Sequence, residues 1–374
     1  MNNMKALGII FSNIHNETID ELTRKRTSAS IPFGGRYRLI DFALSNLVSA
    51  DIVNVGILAQ KNYQSLMDHL GSGKDWDLSR RNGGLVIFPP YGSYKSDNLY
   101  SNRLEALISI RGYIEKAKEE QVVLMDCDSA NVIDLNEALE KHLDNNADIT
   151  IIYRHGKCET DMASHMDLEM DKTGRVKKAD LKSKVGNITN SSINVWIINR
   201  RLLQGLLDDA VSQGMESFHR DILFANIKSL KIYGYEHKGI YLHVNSMENY
   251  FKYNMALLEE NVREALFGNK NHRIYTKVRD SAPTRYGFES KIENSFIADG
   301  CEIEGTVINC VLFRGVKIGR GSIVKNSILM QDTIVGNNVN MNYVVTDKNV
   351  TIRNRNKLSG CEKIPYYLGK NIMI

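Results

Sequence analysis

Continuous apolar runs open the chain at Ala6 to Phe11 (ALGIIF) and recur at Val53 to Leu58 (VNVGIL), Val122 to Met125 (VVLM) and Ile149 to Tyr153 (ITIIY). A strand of a parallel sheet is covered on both faces, so it reads as an unbroken run and not as an alternation. Between these runs apolar residues return with helical spacing: Arg38 to Ser49, Tyr63 to Leu70, Asn102 to Glu119 with Leu104, Leu107, Ile110 and Ile114, and Leu135 to Asn145. Strands alternating with helices predict an open, mainly parallel, Rossmann-like α/β sheet whose ligands sit beyond the carboxyl ends of the strands.

From about Lys291 the texture changes. Aliphatic residues recur six apart, as in Leu312, Ile318 and Val324 or Leu329, Val335 and Met341, with Gly, Asn and Asp filling many positions between them (ADGCEIEG, RGVKIGRGS, VGNNVNMN). Each short strand of a left-handed parallel β-helix turns one aliphatic side chain inward while small polar residues form the corners, which yields this hexapeptide repeat. A β-sandwich would instead show period two. The expected organisation is an α/β domain over 1–272, a linker over 273–290 and a β-helix with a C-terminal tail over 291–374.

Composition narrows the function. The 374 residues carry 48 Lys and Arg against 44 Asp and Glu, a net charge of +4, too small for a dedicated polyanion surface, so nucleic acid is not an expected partner. Cys127, Cys158, Cys301, Cys310 and Cys361 are odd in number, scattered and without a CxxC pair, which fits reduced thiols in a cytoplasmic protein. No run of about 18 apolar residues and no signal peptide is present, so no membrane association is expected.

Chemistry enters with three stretches: IPFGGRYRLIDFALSN (Ile31 to Asn46), GSGKDWDLSRRNGGLVIFPPY (Gly71 to Tyr91) and the strand and loop from Val122 to Leu135. Together with the β-helix they resemble the bacterial glucose-1-phosphate adenylyltransferase (ADP-glucose pyrophosphorylase) family over almost the whole chain. The resemblance implies a reaction in which ATP and glucose 1-phosphate become ADP-glucose and pyrophosphate. Active members hold Mg²⁺ on carboxylates and cradle the triphosphate with a glycine-rich loop, LAGGxGTRL, followed by a KPA element.

This sequence departs from that pattern at the reacting centre. The loop falls on FSNIHNETIDELT, so the paired glycines become Asn13 and Ile14, the third becomes Asn16, the arginine becomes Thr18, and Glu17 brings like charge towards phosphate. The KPA lysine becomes Ser28. The first metal carboxylate is kept as Asp128, but its partner falls on His243, and Mg²⁺ prefers hard oxygen donors to imidazole. On the sugar side Lys182 and Ser192 match the family, whereas two glycines become Met166 and Asn194, side chains where the family leaves room for a hexose. If three such losses each cost about 3 kcal/mol of transition-state stabilisation, the total of about 9 kcal/mol is roughly a millionfold in rate.

No intact catalytic set, metal site or cofactor is therefore expected. Within the family, a preserved scaffold with a degenerate loop resembles the regulatory, catalytically deficient subunits of glycogen biosynthesis. That resemblance implies a catalytic GlgC-like partner, a hetero-tetramer and a small-molecule effector. The alternative is an active nucleotidylyltransferase with a rebuilt phosphate loop. An acyltransferase built on the β-helix is a remote third reading, because no histidine lies beyond His272. Arg36, Arg38 and Asp41 read first as helix-start capping and pairing, with anion binding second. His243 reads as structural or vestigial, and Trp76, flanked by charges, as part of a surface or interface segment.

Overall fold

The computed structural model describes residues 5–12, 19–90, 100, 102–157, 166–181 and 186–374. Among these, nine strands form one mixed sheet. We label them β1 (Ala6–Phe11), β2 (Asn54–Leu58), β3 (Gly84–Phe88), β4 (Gln121–Asp126), β5 (Ile149–Lys157), β6 (Asp167–Met170), β7 (Val176–Asp180), β8 (Ile188–Asn199) and β9 (Ile232–Glu236). The order is β7-β6-β8-β4-β1-β2-β3, with β5 on β8 and β9 on β5. Strands β4, β1, β2 and β3 are mutually parallel, whereas β8 runs antiparallel to β4 and β5.

The unbroken apolar runs are explained by cover on both faces. Ala6 and Ile10 of β1 pack with Leu44 and Leu47 of helix α1 (Leu39–Ser49) in one core layer, while Leu7, Ile9 and Phe11 pack with Leu104, Leu107 and Leu203 in the other. The stretch expected as one helix from Asn102 to Glu119 is two, Arg103–Ser109 and Arg111–Lys116. The helical path breaks at Ile110 and ends at Ala117, and Leu107, Ile110 and Ile114 are all buried. Asn102 is the cap, its side chain accepting from the Glu105 N–H at 2.9 Å.

The repeats form three parallel five-stranded sheets wound as a left-handed β-helix. Inward residues stack coil on coil, as in Ile292, Val307, Val324, Met341 and Leu358. The corners need left-handed backbone, which asparagine and glycine tolerate best. Asn294, Asn309 and Asn326 take it with φ of 39°, 51° and 45°, and their amides bond in a ladder that ends on Asn342. Pairing starts earlier than the residues expected to be its first: Arg285–Tyr286, inside the segment read as a linker, already pair with Glu302–Ile303. That segment is also tied to the α/β domain, since the Tyr275 N–H donates to Ser45 Oγ at 2.8 Å.

A third core lies between the domains. Phe33, Phe42, Tyr250 and Phe251 meet Val311, Phe313, Ile328 and Val345 of the β-helix. Beside it, buried Arg26 pairs with Asp347 at 2.5 Å. Trp76 corrects the surface reading: it is only 1% exposed, turned into the core by the short 3-10 turn Lys74–Trp76, and packs edge-on to His69. Its charged neighbours Arg80 and Arg81 face solvent, so flanking charge reported on them and not on the indole.

Candidate functional site

The carboxyl ends of β1 and β4 lie side by side, Phe11 paired with Asp126, and the chain leaving β4 carries Asp128. Next to it the short strands Ser129–Asn131 and Tyr241–His243 run antiparallel, with His243 opposite Ser129. The Val244 N–H donates to the Asp128 carbonyl at 2.8 Å. This backbone frame brings His243 Nε2 to 3.1 Å from Asp128 Oδ2, both residues buried, with the Tyr241 ring stacked on the imidazole at 5.7 Å. The two positions that the sequence reading singled out as metal positions are therefore brought together.

Among the described residues the donor set does not fit Mg²⁺. Asp128 faces an imidazole, and the neighbouring Asp126 carboxylate is held by Arg103 at 2.5 Å in a buried ion pair. The same guanidinium lies 4.5 Å from the Trp196 ring and 5.2 Å from the Phe11 ring, so a cation is already built into this end of the sheet. A hard divalent ion seeks several oxygen donors, and here one oxygen of each carboxylate already meets a nitrogen.

On the sugar side, Met166 is fully buried in the core layer that also holds Leu168 and Trp196. Its carbonyl accepts from the Ser192 N–H at 2.8 Å, so Met166 and Ser192 are neighbours, both closed to solvent. Asn194 sits at the bulge of β8 with φ of 57°. This changes the reading of that position: the backbone there needs the left-handed region, and asparagine meets the need that glycine meets in the family. Ser28 opens a short turn whose Oγ donates to the Ser12 carbonyl at 3.0 Å, anchoring it on the end of β1. Asn13, Ile14, Asn16, Glu17, Thr18 and Lys182 lie outside the described residues.

A second feature lies between the domains. Arg36, Arg38, Lys277, Arg279, Arg314 and Lys348 line one cleft with His69 and Gln331. Burial, reinforced by Arg38 and Arg26, pulls the Lys348 ammonium down to about 6, against the opposing pull of Asp347. Asp41 does cap helix α1, accepting from the Arg38 N–H at 3.0 Å, and its other oxygen meets His69 Nε2 at 2.6 Å. Arg38 donates to Ser65 while facing the cleft, so both readings of this stretch apply to different atoms. Only Arg36 and Arg38 were legible as anion candidates. Lys277, Arg279, Arg314 and Lys348 come from the linker and from β-helix corners, and no local pattern joins them.

Comparisons with known proteins place the fold in a family. The chain matches the nucleotidyl transferase family model over residues 18–180 and the GlmU-like C-terminal hexapeptide model over residues 281–361. It is 31% identical to the glycogen biosynthesis protein GlgD of Bacillus subtilis, over 100% of this chain and 98% of that protein. It is 36% identical to GlgD of Geobacillus stearothermophilus over 87% of this chain and 84% of that one. It is 31% identical to the glucose-1-phosphate adenylyltransferase of Clostridium botulinum (strain Alaska E43 / Type E3), over 88% and 85%. With the nucleotidyltransferase sheet, the hexapeptide β-helix and near full-length similarity all in place, the chain belongs to the glucose-1-phosphate adenylyltransferase family that includes GlgD.

Proposed function

We propose that this chain is a regulatory, catalytically deficient subunit of glucose-1-phosphate adenylyltransferase in the cytoplasm, assembling with a catalytic GlgC-like subunit to promote ADP-glucose synthesis for glycogen. The observation that carries this reading is the His243–Asp128 contact, an imidazole where a Mg²⁺-dependent transfer needs a second carboxylate. The Arg103–Asp126 pair and the buried Met166 support it from both substrate sides. The cationic cleft between the domains takes a small anionic effector: an anion there relieves the repulsion among Lys348, Arg38 and Arg26 and ties the β-helix to the sheet domain. Such a subunit raises its partner's activity only by binding the partner's active conformation more tightly than its inactive one. The test is ADP-glucose synthesis by the purified chain, by the catalytic subunit and by the two together. Synthesis by the chain alone at a rate comparable to the pair overturns the reading.

A further inference from the structure

Lys348 differs from the other basic side chains of the cleft between the domains. It sits half-buried on a β-helix corner, and among the described residues its Nζ meets no hydrogen-bond acceptor. By contrast, Lys277 Nζ donates to the Asp68 carbonyl, Arg38 Nη1 to Ser65, and Arg314 Nε to Asp299 at 3.0 Å. The carboxylates nearest Lys348 already have partners. Asp347 Oδ1 accepts from Arg26 at 2.5 Å and from the Lys348 backbone N–H at 2.6 Å, while its Oδ2 accepts from the Tyr367 hydroxyl at 2.9 Å. Asp41 divides its oxygens between the Arg38 N–H and His69.

The charge around this amine is therefore mainly positive. Burial first, then Arg38, Arg26 and Arg279, draw its proton affinity down to about 6 against the pull of Asp347. Near pH 7 the nitrogen accordingly keeps its lone pair and is a nucleophile. The open space where these groups meet is about 30 Å³, room for about two waters. A reagent matched to this place is small, electrophilic at carbon, and becomes an anion when it adds. CO2 has all three properties. A small aldehyde would leave an imine, with no negative charge to meet the guanidinium groups.

We propose that Lys348 is a carbamate-forming site, where CO2 adds to the side-chain amine and the new carboxylate pairs with the guanidinium groups across the cleft. The nitrogen lone pair forms the N–C bond, one C=O π bond opens onto oxygen, and the nitrogen passes one proton to water. No oxidant, metal or leaving group takes part. A like-charge contact becomes a charge-assisted pair with Arg38 and Arg279, so dissolved CO2 fastens the β-helix corner to the sheet domain. This rests on the geometry of the cleft and not on the regulatory reading, and it holds whether or not the chain activates a partner.

The full-length chain is equilibrated with CO2 at fixed pressure, carbamates are trapped as esters with a trialkyloxonium salt, and peptide mass spectrometry locates them. Lys348 carries the ester, and Lys277, an ordinary ammonium, carries at least about tenfold less. Well below full occupancy, one unit of pH between about 7 and 8 raises trapping at Lys348 about tenfold, because a neutral amine releases one proton; an ammonium that gives up two shows about a hundredfold. With carbon-13 CO2, the NMR spectrum of Lys348→Met loses one carbamate carbon that Lys277→Met keeps. An unlabelled Lys348 overturns the proposal, as does labelling no greater than at Lys277, a hundredfold slope, or a carbamate spectrum that Lys348→Met leaves unchanged.

Discussion

His243 Nε2 sits 3.1 Å from the Asp128 carboxylate, both residues buried, with His243 held in a strand pair and the Asp128 carbonyl bonded to the Val244 N–H beside it. The contact sets an imidazole against the Asp128 carboxylate at the position where the family resemblance implies a second carboxylate. Substituting His243→Asp therefore puts two like charges together and costs about 2–3 kcal/mol in EDTA, a cost that Mg²⁺ offsets by bridging them. Thermal unfolding with and without Mg²⁺ checks this: the variant becomes Mg²⁺-dependent, whereas the wild type is indifferent. A variant as indifferent as the wild type counts against the donor-set argument.

Met166 is a plug in the core and not a lid on an open hexose site. Met166→Ala removes buried atoms from a fully enclosed position and lowers stability by about 2–4 kcal/mol, measured by urea unfolding. A cost near zero, with new binding of glucose 1-phosphate, would reverse this view.

Asn194 pays for its left-handed backbone and leaves its buried Oδ1 without a hydrogen-bond partner among the described residues. Asn194→Gly relieves both and raises stability by about 1 kcal/mol, while Asn194→Ala, which relieves only the second and prefers other backbone, does not. Denaturation midpoints of the two variants separate the contributions.

Arg26 and Asp347 join the segment that follows the short helix Asp20–Thr23 to the β-helix through a buried pair, with the Tyr367 hydroxyl 2.9 Å from the same carboxylate. Arg26→Ala or Asp347→Ala strands a buried charge and costs about 3–5 kcal/mol, whereas the joint change to Arg26→Met and Asp347→Leu costs clearly less. A double-mutant cycle on unfolding free energy shows the difference.

Lys348 makes stability and anion binding depend on pH. In the unfolded chain its proton leaves near 10.5 and in the folded chain near 6. Between these values the unfolded chain binds more protons, so this residue's contribution makes the fold more stable as pH rises from about 6 towards 10, with its full cost present below 6. Lys348→Met flattens that slope. An anion in the cleft favours the charged ammonium, so at pH 7 to 8 binding takes up a proton in the wild type and not in the variant. Calorimetry of inorganic phosphate binding in two buffers of different ionisation enthalpy measures the uptake.

Much of the fold was legible because its signals are local. The Ala6–Phe11 run is a strand with those same bounds, Leu135 to Asn145 is a helix over Leu135–Asp144, and the spacing of Leu312, Ile318 and Val324 is that of the β-helix interior. Failures came where one property stood for another. Charge around Trp76 hid a buried indole, and helical spacing from Asn102 to Glu119 ran through a break at Ile110.

The sequence alone determined the layered α/β sheet and the β-helix, since periodicity and residue chemistry are properties of neighbours along the chain. Only the tertiary structure decided that His243 contacts Asp128 across 115 positions, that Arg103 pairs with Asp126, and that six basic side chains from distant segments share one cleft. Coulombic and desolvation energies depend on distance and burial in space, and these follow from packing the domains on a shared core, which no stretch of sequence contains by itself.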